Sequence, residues 1–271
     1  MKTKLYLMNA LSNLHVGNGE VNYGVIDNLI QRDPVTEIPN INSSSLKGAL
    51  REFFQGETYV AEVFGSEPKD TTNKQQGKFR FFEANLLSLP VRSNKRPYLM
   101  ATSIDIIRDL IAKIELFGCS VDNTKVTELK NFETALSVKV NDILCFSQDL
   151  NDACVEEVDW KAKCLNVNVP ATVKEIFGDN LIIVMSSEKF KKICDNNHLP
   201  VISRNNLENG QSTNLWYEQV LPRYSQLYFV VMEDGSNVQA FETKLTEGTV
   251  QVGANASIGY GFCKISDVLN K

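Results

Sequence analysis

Three residues of this 271-residue chain stand where a side chain that can move a proton or hold a cation invites a chemical reading. Asp27 lies among Val25, Ile26, Leu29 and Ile30. A carboxylate in apolar company takes a partner, whether a hydrogen bond, a cation or a metal ion. A helix cap or a salt bridge meets that need as well as a catalytic role does. His15 stands just before the turn Gly17-Asn18-Gly19. An imidazole there is a general acid or base, or simply a packed ring. Glu218, beside Trp216 and Tyr217, admits the same two readings.

Other stretches suit phosphate. Ser43-Ser44-Ser45-Leu46-Lys47-Gly48-Ala49-Leu50-Arg51 opens a helix with hydroxyls and two cations at hand. The free N–H groups and the dipole of a helix start attract anions. The plainer alternative is an ordinary capped helix with solvated basic residues. Gly253-Ala254-Asn255-Ala256-Ser257-Ile258-Gly259-Tyr260-Gly261 can cradle a phosphodiester or merely turn between strands. It is no dinucleotide fingerprint, because no strand–Gly-x-Gly-x-x-Gly–helix unit fits. The run Arg92-Ser93-Asn94-Lys95-Arg96 is either an RNA contact or a solvated loop.

These residues need elements to hold them. Residues 3–10 read as a strand that feeds the glycine turn. Leu46, Ala49, Leu50, Phe53 and Phe54 recur at helical spacing over 43–54, with the three serines offering N-cap oxygens and Gly56 a stop. Lys47 and Arg51, four apart, share another face of that helix. Residues 66–78 are polar and read as a loop, and 79–91 read as strand. A helix runs from about Ile104 to Phe117, capped by Ser103 and closed by Gly118. Residues 120–170 show no pattern. Leu181 to Met185 is a buried strand, and Ser186-Ser187 caps a short helix ending near Asn196-Asn197. Asn209-Gly210 signals a hairpin turn. Strands follow at 226–233 and 237–252, and a last one near 262–265. Strands at both ends with capped helices between give an α+β fold with a sheet core, one domain over 1–271 without a linker.

Composition narrows the function. Hydrophobic residues make up 43% and charged residues 23%, the ordinary globular range. The longest apolar run, Leu227 to Met232, is too short to span a bilayer. The first residues fail as a signal peptide, since the apolar stretch breaks at Asn9 and Ser12-Asn13. Six cysteines form no C-x-x-C, and the only other histidine is His198, so no zinc site of the usual spacing is present. Scattered thiols suit a reducing, cytoplasmic setting. A net charge of -5 argues against a generic nucleic-acid coat.

Taken together, four stretches carry a resemblance. They are Leu14-His15-Val16-Gly17-Asn18-Gly19 with Gly24-Val25-Ile26-Asp27 and Ile30-Gln31-Arg32; Ile41-Asn42 with the serine helix through Arg51; Leu89-Pro90-Val91-Arg92-Ser93; and Leu215-Trp216-Tyr217-Glu218 with Leu221-Pro222, leading to the terminal glycine loop. In this order the chain resembles the backbone subunit of the Cmr-type (type III-B) CRISPR effector, in the RAMP superfamily. The likeness spans nearly the whole chain, though residues 56–78 and 119–180 add nothing to it.

That resemblance implies a ferredoxin-like (RRM-like) palm with inserted helical elements and a β-hairpin thumb, which we place at 201–217. It implies copies stacked head to tail along a guide RNA beside other subunits of the complex, with no membrane partner. Each thumb displaces a nucleotide, and the paired single-stranded target RNA is cut beside it at regular intervals. Only a groove then needs to be basic, because guide–target pairing supplies specificity. By motif position Asp27 is the cleavage aspartate and the ligand of a divalent ion (Mg2+ or Mn2+). His15 and Glu218 occupy positions associated with assisting cleavage. Ser44, Ser45, Lys47, Arg51, Arg92, Arg204, Gly253, Gly259 and Gly261 are the implied RNA contacts. Two rivals stay open: a scaffold that binds guide RNA without cutting, and an endonuclease that processes precursor guide RNA.

Overall fold

Leu5-Tyr6-Leu7-Met8 leaves no polar position, the pattern of a strand covered on both faces. The computed structural model describes residues 1–20, 24–67, 74–136, 142–156, 160–178 and 181–270, and it bears that pattern out. Leu5 and Leu7 enter one apolar core, and Tyr6 and Met8 enter another on the opposite face.

The strands in chain order are β1 (Lys2–Ala10), β2 (Asn40–Ile41), β3 (Arg80–Phe81), β4 (Ala84–Val91), β5 (Leu99–Ser103), β6 (Ile143–Cys145) and β7 (Cys154–Val155). There follow β8 (Trp160–Cys164), β9 (Ile182–Met185), β10 (Val201–Glu208), β11 (Gln211–Gln219), β12 (Gln226–Glu233), β13 (Thr249–Gln251) and β14 (Phe262–Ser266). The helices are α1 (Ser43–Phe53), α2 (Val60–Phe64), α3 (Ile104–Leu116), α4 (Asn123–Leu136), α5 (Ala171–Phe177), α6 (Ser187–Ile193) and α7 (Val238–Glu247).

Among the described residues one large mixed sheet runs β13-β14-β1-β12-β4-β5-β9-β6-β8-β7, with β2 added to β4 and β3 to β12. Its centre, β14-β1-β12-β4, is antiparallel throughout. The register sets Leu5 opposite Val230 and Met8 opposite Ile265. Helix α1 lies in the connection from β1 to β4, and α7 in that from β12 to β14. Leu46 and Leu50 of α1 and Phe241 and Leu245 of α7 pack into the core with Tyr6 and Phe229. Ile107, Leu110 and Ile114 of α3 cover the other face with Tyr228 and Val230. This is a mixed α/β architecture. Among the described residues no helix is long and apolar enough to cross a membrane.

Three expectations need correction. Residues 237–252 are not one strand: α7 fills 238–247 and only Thr249–Gln251 is extended. Phe241 and Leu245 sit one helical turn apart on the buried side, and that burial outweighs the β-prone look of Val250 and Val252. The strand expected at 79–91 is broken between Phe81 and Ala84. The third correction concerns α1, whose cap is Asn42 rather than a serine, and whose cap side chain makes no capping bond. By contrast Ser103 and Ser186 do cap α3 and α6, their hydroxyls accepting from the N–H groups of Ile106 and Lys189. Residues 68–73 of the polar loop lie outside the described residues.

Candidate nucleic-acid interface

Among the strands of the described residues, β10 and β11 pair only with each other. Asn209 and Gly210 both take left-handed backbone, with φ of 52° and 82°, the geometry of a tight two-residue hairpin turn. Every residue from Asn205 to Leu215 is exposed. The hairpin closes at 219 rather than 217, so its foot includes Glu218 and Gln219.

Segments distant in sequence meet at that foot. The N–H groups of Asp27 and Asn28 both donate to the Tyr217 carbonyl at 3.1 Å. The Tyr217 N–H donates back to Asp27 Oδ2 at 2.8 Å. Gln219 N–H donates to the Asn28 carbonyl at 2.9 Å. Residues 27–28 therefore extend the foot of β11 in parallel, through a bridge between Asn28 and Glu218. Asp27 is exposed, and its other carboxylate oxygen takes no hydrogen bond from any described residue. Its apolar neighbours in sequence did not bury it.

Glu218 is the opposite case. It is buried, and three donors converge on it: Trp216 Nε1 at 3.0 Å on one oxygen, Arg204 Nη1 at 3.0 Å and Asn255 Nδ2 at 2.8 Å on the other. Burial alone would push this carboxyl up. The hydrogen bonds from Trp216 and Arg204, the Arg204 charge and the His15 ring outweigh it and hold the group below the usual carboxylate range. Arg204 also donates to Asn255 Oδ1 at 2.6 Å, and its guanidinium stands 5.2 Å from the Trp216 ring centre.

His15 is buried, 5% exposed, with Nδ1 2.7 Å from the Gln219 carbonyl. A carbonyl only accepts, so Nδ1 is the donor and Nε2 the free nitrogen of the neutral ring. A side chain at Gly17 would come within 3.3 Å of that Nε2. The His15 carbonyl accepts from Ala254 N–H at 2.9 Å, which ties the glycine loop to the same foot. Gly253 (φ 84°) is there of necessity, because a Cβ would stand 2.3 Å from the His15 carbonyl oxygen. At Gly261 (φ 79°) it would meet the Val252 carbonyl at 2.0 Å, whereas Gly259 faces open space.

Helix α1 joins through Gln31. Its Nε2 donates to the Gly17 carbonyl (3.1 Å) and to Ser45 Oγ (2.9 Å), and its Oε1 accepts from Asn42 N–H (2.8 Å). Ser45 is thereby committed inward, while Ser44 is exposed. The N–H groups of Ser43, Ser44 and Ser45 precede the first helical hydrogen bond, Leu46 to Asn42, and have no intrahelical acceptor. Lys47 is half-buried and makes no hydrogen bond or ion pair with a described residue.

Two expected contacts point elsewhere. Arg51 donates to the Gly65 carbonyl at 2.9 Å, so it braces α1 against the end of α2. Arg92 is held by Glu156 at 2.9 and 3.0 Å and lines a separate cleft beyond Pro222. The site also uses residues that spacing did not single out: Gln31, Gln219, Tyr217 and Asn255. Gln31 and Tyr217 stand in the stretches that carry the resemblance, and Asn255 stands in the glycine loop, where it takes left-handed backbone (φ 68°); Gln219 left no trace. The six cysteines are free, and among the described residues no three His, Cys, Asp or Glu gather to hold a metal ion.

Comparison with known proteins identifies the family of the chain. A model of the RAMP superfamily matches residues 7–264. The chain is 25% identical over 295 residues to the CRISPR system Cmr endoribonuclease Cmr4 of Pyrococcus furiosus, covering 98% of this chain and 96% of that protein. The fold is shared with the type III-B Cmr-beta complex bound to cognate target RNA, at a TM-score of 0.81 and 20% identity over 98% of this chain and 96% of that one. It is shared too with oligomeric Cmr4 from Pyrococcus furiosus, at 0.70 and 21% over 98% and 97%.

Proposed function

The chain belongs to the RAMP superfamily, and from that we propose that it is a backbone subunit of a Cmr-type (type III-B) CRISPR effector that binds guide RNA and cuts the paired target RNA at regular intervals. The Pyrococcus furiosus relative bears an endoribonuclease's name, and one structure of the same fold holds target RNA. The central strand order β14-β1-β12-β4 with its two helical crossovers supports a ferredoxin-like palm. The β10–β11 hairpin is the thumb.

One observation carries the cleavage reading. An exposed carboxylate is fixed to the foot of a projecting hairpin by its own backbone and by Tyr217. With one oxygen held by Tyr217 N–H, the other is aimed outward. A nucleotide displaced by the hairpin offers its 2′-hydroxyl to that oxygen. Asp27 takes the hydroxyl proton as the oxygen attacks the adjacent phosphorus, the P–O5′ bond breaks, and a solvent water protonates the leaving O5′, giving a 2′,3′-cyclic phosphate and a 5′-hydroxyl. Orientation of nucleophile and leaving oxygen supplies much of the rate. The free N–H groups at the start of α1, with Lys47, hold the guide phosphates.

His15 and Glu218 are positioning residues in this scheme. Each is buried and bonded to the scaffold that carries Asp27. The donor set does not amount to a resident metal site, since Asp27 contributes one free carboxylate oxygen and among the described residues no second acid joins it.

The test is Asp27→Ala in the complex assembled with guide RNA. We expect the fixed-spacing product ladder from labelled target RNA to disappear and target affinity to stay within about twofold. Cutting at the wild-type rate overturns the assignment, and a wild-type complex that yields no ladder returns the chain to a scaffold role.

A further inference from the structure

Tyr224 has a φ of 76°, a backbone conformation that a bulky side chain rarely takes. The turn around it is pinned from several sides. Its N–H donates to the Ala10 carbonyl at 2.7 Å, Ser225 Oγ donates to the Pro222 carbonyl at 2.7 Å, and Arg223 N–H donates to Asn13 Oδ1 at 3.2 Å. Strain of this kind persists only where the surroundings over-determine it, and it gathers at functional sites.

The turn uses that strain to present an aromatic stack. The Tyr224 ring lies over Tyr98, with centres 5.0 Å apart and planes 16° from parallel. The Arg223 guanidinium sits 5.1 Å from the Tyr224 ring centre. Tyr224 stays 41% exposed, and the Arg223 side chain makes no ion pair with a described residue. The stack forms one wall of a cleft of about 710 Å³ that also includes Pro90, Pro200 and Arg92. Among the described lining residues the one acid, Glu156, is bonded to Arg92, and the His198 ring is bonded to Asp195 at 2.9 Å, so Arg223 is the cation of this cleft that keeps no acidic partner among the described residues.

We propose that the Arg223–Tyr224–Tyr98 stack is a second RNA contact, a platform on which one unpaired base of single-stranded RNA stacks while Arg223 reaches the neighbouring phosphate. Stacked rings and a guanidinium plane accept any base, and an uncommitted cation suits an RNA phosphate better than an apolar peptide. The platform rests on the RNA-binding function proposed above and adds to it a contact away from Asp27. It predicts sequence-tolerant binding, since stacking on a ring takes any base.

Binding of the full chain to a single-stranded RNA carrying 2-aminopurine tests it, with fluorescence quenching as the stacking signal. Tyr224→Gly removes the ring and relieves the strained backbone, so folding is kept; affinity should fall about tenfold and quenching should be lost. Tyr224→Phe should retain both. Arg223→Ala should reduce the salt dependence of binding by about one counterion. Lys47→Ala is the control for the function itself. If Lys47→Ala weakens binding while Tyr224→Gly leaves affinity and quenching unchanged, the platform is overturned and the RNA function stands. If neither variant has an effect, the RNA function falls and takes the platform with it. Unchanged RNA affinity with lost self-association of Tyr224→Gly overturns the platform in favour of a protein contact.

Discussion

Asp27 and Glu218 sit on adjoining pieces of chain yet live in different electrostatic worlds. Asp27 takes one hydrogen bond and faces solvent, whereas Glu218 takes three and is buried. Removing charge from the second must therefore cost fold, since Arg204 would be left without its counter-ion. Glu218→Gln should lower unfolding stability by about 3 kcal/mol, seen as a shift in the denaturant midpoint, because it breaks a buried pair. The sign with pH follows from the depressed carboxyl. Its contribution is full above the ordinary carboxylate range and disappears as pH falls through the lower value of the folded state. In Glu218→Gln that part of the acid sensitivity should be absent from a pH series of melts. The sequence marks both acids and His15 as candidates by type alone. It does not say which acid is buried, because two of the three Glu218 donors come from β10 and the glycine loop, 14 and 37 residues away.

At the scale of elements, the glycine loop shows how much a backbone atom decides. Gly253→Ala drives a Cβ into the His15 carbonyl, so the loop must shift or the foot of the hairpin must open. Gly259→Ala meets nothing and bears only the left-handed penalty, about 1–2 kcal/mol. Thermal melts should separate the two, with Gly253→Ala the more destabilised. Helices α1 and α3 were legible because apolar residues recur at their spacing, and Ser103 marks the start of the second. Helix α7 was not, since its cap residue Asn237 makes no capping bond and only Phe241 and Leu245 among its apolar residues are fully buried. Helix α4 escaped for a similar reason: Leu129, Phe132 and Leu136 are its only buried residues in a polar sequence. The hairpin was legible from two residues, Asn209 and Gly210, whose preference for left-handed backbone is local. Its projection from the sheet was expected from the resemblance alone, because nothing in those residues tells which neighbours the strands lack.

Across the whole molecule, one acid inside the sheet sets a pH dependence of its own. Burial pushes the Glu233 carboxyl from 4.5 up to about 7, with the Glu242 charge adding and the Tyr6 hydroxyl, donating at 2.6 Å, opposing. The folded chain keeps that proton after the unfolded chain has released it. Stability therefore falls as pH rises from about 5 to about 7, then levels. Melting temperatures over that range should decline in the wild type, and Glu233→Gln should flatten the decline. Glu242, held below its ordinary value despite burial, chiefly by bonds from Lys4 and Glu233, acts in a lower window. The sheet order has one more effect. Strand β1 is the first made, yet both of its neighbours, β12 and β14, come from the far end of the chain. At typical translation speeds of about 5–20 residues per second, it emerges from the ribosome roughly ten to forty-five seconds before Gln226–Glu233 exists to pair with it. Throughout that wait a greasy ribbon with bare edges is on offer to any passing strand, the condition that chaperones exist to cover.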